Sequence, residues 1–254
     1  MLSMEEYAKQ YQHKHRNEGT VSEITDYSFK FECKPTKDGK QRVYYVMKSY
    51  FYGGWFMHKK IRVVFDMDDI LWDLNRVATS MAKIPYDKII VFHVSENPLL
   101  TEEQKKALKQ SYSSDELFDN MVWYEGAEKI FTLESKDVEV SINSNCLGAN
   151  VVERKYKLLH NLYAVDDSRL ILNDLTKGVA KEIGDDITIF VDDSPYNHVM
   201  NKAKYHIMMN KPWNTSDMGR AVLGDLDKDM IRCENLIEII EKVKELIKIE
   251  LQED

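Results

Sequence analysis

Two periods of apolar residues divide the chain. "SEITDYSFKFE" and "QRVYYVMKSYFY" alternate apolar with polar positions on either side of "CKPTKDGK", and Asp38-Gly39 is a turn signal, so this stretch predicts a β-hairpin. Residues 3–16 before it read as a short polar helix, and "YGGW" after it, Tyr52 to Trp55, reads as a flexible joint. The pattern then changes. Ile61 to Phe65 is a β-branched apolar run of the kind found in a strand buried on both faces of a parallel sheet. "DVEVSINS" and "ITIFV", Ile187 to Val191, are two more such segments, and between them "VVERKYKLLHNLY" has helical spacing while "SRLILN" has strand character. Residues 76–125 contain "TEEQKKALKQSYSSDELF", with Thr101 as an N-cap, and lack strand patterning, which predicts a helical insertion. In "ENLIEIIEKVKELIKIEL" the residues Leu236, Ile239, Ile240, Val243, Leu246 and Ile247 share one helix face. Strand and helix alternate through the later half, and that order predicts an α/β fold with a mostly parallel sheet, residues 57–254, preceded by a helix and hairpin extension over 1–56.

Composition narrows the function classes. The 254 residues are 43% hydrophobic, enough for a real core, and the formal net charge of −8 argues against holding duplex nucleic acid by phosphate neutralisation. The first residues are polar and no run of 18 apolar residues occurs, so the sequence predicts neither a membrane span nor a secretory leader, and a cytoplasmic location is expected. Cys33, Cys146 and Cys233 lie far apart and are odd in number, which suits reduced thiols better than a disulfide framework or a CxxC metal site.

The chemistry is concentrated where apolar strands end. In open α/β sheets ligands bind beyond the carboxyl ends of the strands, and there Ile61–Phe65 is followed by Asp66, Asp68 and Asp69. Alone, these carboxylates would read equally well as helix caps. The second strand end, "IFVDDSP", places Asp192 and Asp193 in the same way, and two acidic strand ends in one sheet repel unless a cation lies between them. A hard ion with oxygen ligands, Mg²⁺, suits carboxylates and phosphate oxygens. "SINSN" ends a further strand in Ser144 and Asn145, short polar residues able to hold anionic oxygens, although a serine after a strand is by itself a turn residue. Lys177 in "DLTKG" or Lys181 in "AKEI" supplies a positive charge; whichever is not used is a solvated helix residue.

Taken in order, "VVFDMDD", "SINSN", a lysine and "IFVDDSP" resemble the four motifs of the haloacid dehalogenase (HAD) superfamily of phosphotransferases, over roughly residues 57–250. "DNMVWYEGAEKIF", "KPWN" and "NLIEII" are similar to its 5′(3′)-deoxyribonucleotidase-like branch. The resemblance implies a Rossmann-like sheet with a helical cap and a phosphatase that works through an aspartyl-phosphate. Asp66 is then the nucleophile and Asp68 the general acid and base, with Mg²⁺ on Asp66, the Asp68 carbonyl, Asp192 and Asp193. Ser144, Asn145 and Lys177 would hold the phosphoryl oxygens, Lys177 being preferred to Lys181 because it opens "KGVAKEIG"; Lys155 resembles a second phosphate-contacting lysine of the branch. The pattern departs from the family at Asp69, where glycine is common, at Ile70, where Thr or Val is usual, and at Leu74, where the branch carries a base-stacking aromatic. Trp72 stands close enough to substitute as a substrate-binding residue, and Phe92, Trp123 and Tyr124 are further candidates for a stacking face.

A capped site favours a small phosphorylated substrate, a nucleoside monophosphate above all, over macromolecules, and self-association is left open. The alternatives are a polynucleotide 3′-phosphatase or a phosphatase of another small metabolite, since the motifs specify the chemistry and not the leaving group, and a catalytically inactive HAD-like binding protein.

Overall fold

The computed structural model describes residues 9, 19–22, 28–33, 43–47, 61–163, 167–177 and 187–252. Most of the helix expected over 3–16, the "YGGW" joint, and "KGVAKEIG" beyond Lys177 with Lys181 lie outside these residues. By its contacts the chain divides into two compact units, residues 1–58 with 145–182, and residues 59–144 with 183–254. Residues 145–182, expected in the second domain, therefore group with the N-terminal extension.

The first unit opens with three antiparallel strands in sequential order, β1 (Gly19–Ser22), β2 (Ser28–Cys33) and β3 (Val43–Met47). β2 and β3 pair with Phe31 opposite Tyr44, as the hairpin pattern expects, whereas β1, "GTVS", has a single apolar residue and gave no strand signal.

The second unit starts with β4 (Ile61–Phe65), and β5 (Val138–Cys146) crosses from it into the first unit. The first unit continues with a helix, Ala149–Leu162, and β6 (Leu170–Asp174). In the second unit follow β7 (Ile189–Asp192), β8 (Tyr205–Met209) and β9 (Ile231–Cys233). Within that unit the strands run β5-β4-β7-β8-β9, all parallel. Val63, Phe65, Val140, Ile142, Ile189, Val191 and Ile207 are buried on one face and Val64, Phe190 and Met208 on the other, so the central strands have core on both faces. Each such side chain contributes about 1.5–3 kcal/mol relative to exposure.

The insertion between β4 and β5 holds helices Leu74–Met81, Glu102–Tyr112 and Asp115–Asp119. Thr101 caps the second of these in a reciprocal box, its hydroxyl accepting from the Gln104 amide at 3.3 Å while the Gln104 side chain accepts from the Thr101 amide at 3.0 Å. The last helix, Leu236–Gln252, buries Leu236, Ile239, Ile240, Val243 and Leu246, with Ile247 half-buried. Its buried Glu250 accepts from Lys204 Nζ at 2.6 Å and from the Tyr205 hydroxyl at 2.8 Å, tying the helix end to the start of β8. No helix among the described residues is long and apolar enough to cross a membrane.

Candidate active site

Register brings the two acidic strand ends together. Phe65 of β4 pairs with Val191 of β7, so Asp66 and Asp192 stand side by side where the strands end, and the Asp66 amide donates to the Val191 carbonyl at 2.8 Å. Carboxylate oxygens of Asp66, Asp192 and Asp193 all lie within 4.8 Å of one another, and all three residues are buried. Ser144 lies two residues beyond Ile142, which pairs with Phe65, and is also fully buried.

The chain after each strand fixes these carboxylates. Asp192 accepts from the Ser194 amide at 2.8 Å and from Asn197 Nδ2 at 3.1 and 2.9 Å on its two oxygens. Ser194 caps the short helix Pro195–Val199, which places Asn197 for this contact. Asp193 accepts from Trp213 Nε1 at 2.8 Å, and Asn214 Nδ2 donates to the Asp193 carbonyl at 2.8 Å. Trp213 and Asn214 belong to Pro212–Thr215, and helix Asp217–Leu223 approaches so closely that a Cβ on Gly219 would come 2.1 Å from the Trp213 carbonyl oxygen. A second buried indole addresses the other strand end: Trp72 Nε1 donates to Asp68 Oδ1 at 2.7 Å.

Asp69 resolves the departure from the usual glycine. Its φ of 56° is left-handed, the conformation glycine adopts freely and aspartate tolerates better than most residues. The turn is thus glycine-like in backbone. The carboxylate accepts from the amide and side chain of Asn75, whose Oδ1 in turn accepts from the Tyr112 hydroxyl of the insertion.

Negative charge is in excess. Burial pushes the Asp69 carboxyl up to about 7, with Asp68 and Asp73 adding to the rise and Lys211 and the Asn75 amide opposing it. Burial also raises Asp193 well above the carboxylate range, reinforced by Asp69, Asp192 and Asp66 and opposed by Lys211. Lys211, itself buried, donates to the Tyr124 hydroxyl at 2.6 Å, and its ammonium lies 4.6 Å from the Tyr124 ring centre. Burial first, then the charge of Asp69, raises the phenols of Tyr86, Tyr112 and Tyr124 above their usual range. Three close, buried carboxylates, one of them raised by burial and by its carboxylate neighbours, fit a hard divalent cation such as Mg²⁺, and the amides on Asp192 and the indole on Asp193 are the outer hydrogen bonds that orient such ligands.

Of the remaining expected residues, Asn145, Lys155 and Lys177 belong to the first unit. Lys155 is buried on helix Ala149–Leu162 and donates to the Asn145 carbonyl at 2.8 Å; Lys177 ends the turn Leu175–Lys177. Trp72 is fully buried against Phe118 and Trp123, with ring centres 5.8 and 6.5 Å away, so its ring is enclosed and not presented to a base; Phe92 is exposed. Asn197 lies in no sequence motif, and Lys211, Trp213 and Asn214 belong to one only as part of "KPWN". Their common signal is position shortly after an acidic strand end or the next strand, but their contacts depend on long-range packing.

No family model and no curated protein matches the chain. Among solved structures it is similar to a HAD-superfamily hydrolase, subfamily IA, variant 1, from Geobacter sulfurreducens, at 16% identity over 72% of this chain and 97% of that one, with a TM-score of 0.37. It is also similar to a protein described as a β-phosphoglucomutase from Bacteroides vulgatus, at 16% identity over 74% and 89% of the two chains, with a TM-score of 0.43. Likenesses this distant carry neither activity nor substrate to this chain, and the functional reading stands on the site itself.

Proposed function

We propose that the chain is a Mg²⁺-dependent phosphomonoester hydrolase of the HAD type that acts on nucleoside monophosphates. The observation that carries this reading is the alignment of Asp66 with Asp192 and Asp193, three buried carboxylates within 4.8 Å at adjacent parallel strand ends, with Asp68 two residues on. Asp66 attacks phosphorus; the bond to the ester oxygen breaks, and Asp68 gives its proton to the departing alkoxide. Asp68 then takes a proton from water as that water attacks phosphorus, the Asp66–phosphorus bond breaks, and inorganic phosphate leaves. Both carboxyl groups return to their starting states. Asp66, the Asp68 carbonyl, Asp192 and Asp193 would hold the Mg²⁺, which supplies neutralising charge when bound, so that an anion can approach an anion. Ser144 is assigned to the phosphoryl oxygens, where transition-state charge spreads, and Asn145, Lys155 and Lys177 carry the same assignment from the resemblance alone.

The insertion supports a small substrate. It reaches the turn after β4 through Tyr112, at the end of helix Glu102–Tyr112, and the neighbourhood of Lys211 through Tyr124, so it restricts what can approach the strand ends. Nucleoside monophosphates, the deoxy forms first, follow from the resemblance of "YEGAEKIF", "KPWN" and "NLIEII". Hydrolysis of an aryl phosphate is measured with Mg²⁺ and with chelator, followed by kcat/KM for deoxyribonucleoside and ribonucleoside monophosphates, sugar phosphates and a 3′-phosphorylated oligonucleotide. Mg²⁺-dependent turnover with nucleotides preferred is expected. A tenfold preference for sugar phosphates or the oligonucleotide removes the nucleotidase assignment, and absence of turnover on every ester leaves the binding-protein reading.

A further inference from the structure

Asp68 is held by a residue that belongs to the insertion's packing as much as to the catalytic loop. The Trp72 indole N–H is a donor only, and at 2.7 Å it keeps Asp68 Oδ1 as an acceptor. Trp72 is enclosed on its other sides. Its main chain bridges Asp68 in parallel and Trp123 in antiparallel fashion, and the flanking residues extend the second pairing: the Tyr124 amide donates to the Leu71 carbonyl at 2.9 Å and the Asp73 amide to the Val122 carbonyl at 3.0 Å. Phe118, from helix Asp115–Asp119, packs on the indole. The main chain of Trp72 is thus paired with the 122–124 segment, and its indole cannot turn away without leaving Phe118 and Trp123.

We infer that Trp72 is the positioning residue of the proton-transfer carboxylate: it fixes Asp68 through Oδ1 and makes the orientation of Asp68 depend on the seating of the 118–124 segment. The inference rests on the proposed phosphatase reading for its kinetic consequence, but the hydrogen bond is testable without it. It also gives Trp72 a task distinct from holding a base. A buried aromatic used only for packing would influence every substrate alike. An indole that orients a proton donor matters most when the leaving group needs that proton.

The test combines Trp72→Phe, which keeps an aromatic ring and removes the donor, with Asp68→Asn. Trp72→Phe is expected to lower kcat for an alkyl phosphomonoester by about tenfold or more, in keeping with loss of a buried hydrogen bond that orients the proton donor, while an aryl phosphate with a good leaving group loses less than about threefold and KM changes little. In the Asp68→Asn background, Trp72→Phe should have no further effect on kcat. Equal losses for alkyl and aryl esters, or fully additive losses in the double variant, would overturn the inference in favour of packing alone. The independent readout is the indole N–H resonance of Trp72 in a ¹⁵N-correlated NMR spectrum. Asp68→Ala, which removes the acceptor, should shift it while leaving the Trp213 indole in place, and an unmoved Trp72 resonance would overturn the inference even if Trp72→Phe fails to fold. Absence of all phosphatase activity with the expected NMR shift would remove the catalytic reading while retaining the contact.

Discussion

Two groups of carboxylates in the second unit follow opposite electrostatic rules. Asp227 is met by two arginines, Arg232 Nη2 at 2.6 Å and Arg220 Nη1 at 3.1 Å, and the hydrogen bond from Arg232 leads in holding its carboxyl below the usual range. Asp193 has the reverse environment. It is buried beside Asp66, Asp69 and Asp192, with Lys211 the opposing charge, and its carboxyl is raised. Aspartate is the same residue in both places; the difference is whether the fold itself supplies the cations. At Asp227 the charge is balanced internally and fastens β9 to the preceding turn, as a structural ion cluster does. Around Asp193 the fold gathers more negative charge than it neutralises, an arrangement that costs stability and makes physical sense where a cation and a phosphate are to be bound.

The sharpest way to break this comparison is at the proposed nucleophile. Asp66→Asn should lower kcat by about 10⁴-fold or more, since the attacking group is gone, while circular dichroism and thermal melting report an intact fold. Near-normal turnover in the folded variant would remove Asp66 from its role. Asp193→Asn separates binding from folding: apparent Mg²⁺ affinity in activity titrations should fall at least about tenfold, while the metal-free protein should melt a few degrees higher because one repelling charge has gone. A lower melting temperature in the metal-free variant would show that Asp193 is structurally satisfied, as Asp227 is.

At the other cluster the expected effects are smaller and of opposite kind. Asp227→Asn should cost about 1 kcal/mol of stability in chemical denaturation and leave kcat within about twofold, because what is lost is two partly shielded arginine contacts of Asp227 itself and none made by Asp66 or Asp68. The pH dependence follows the same logic. The folded-state pKa of Asp227 is depressed below its ordinary value of 3.8, so its stabilisation is complete above that value and disappears as pH falls through the lower folded one. Denaturation of wild type and Asp227→Asn should therefore differ most near neutral pH and converge in strong acid. A difference that persists undiminished there would contradict the ion-pair account.

The parts of this molecule legible in the sequence are those written in local pattern. Ile61–Phe65, "DVEVSINS" and "ITIFV" are strongly apolar and become β4, β5 and β7, and their order with intervening helices sufficed for a parallel α/β sheet. β8, "YHIMM", carries a histidine and two methionines where β-branched residues would signal a strand, and β9 has three residues, too few for a period. Asp66, Asp192 and Asp193 could be placed at strand ends from sequence because strand register converts a linear motif into a cluster. Trp213 on Asp193 and Asn197 on Asp192 could not, since side-chain aim is set by how the following helices pack. Asp69 illustrates the middle case: its identity departs from the family pattern, while its left-handed backbone preserves what the glycine provides.

The covalent role of Asp66 is tested most directly by acid-quenching the enzyme during turnover of a phosphomonoester labelled in its phosphoryl group, with Mg²⁺ present, and mapping the label by peptide digestion. The account predicts acid-stable, hydroxylamine-sensitive label on the peptide containing Asp66, absent from Asp66→Asn and from reactions with chelator. Sustained turnover with no protein-bound phosphate, or label on a peptide that excludes Asp66, would contradict it.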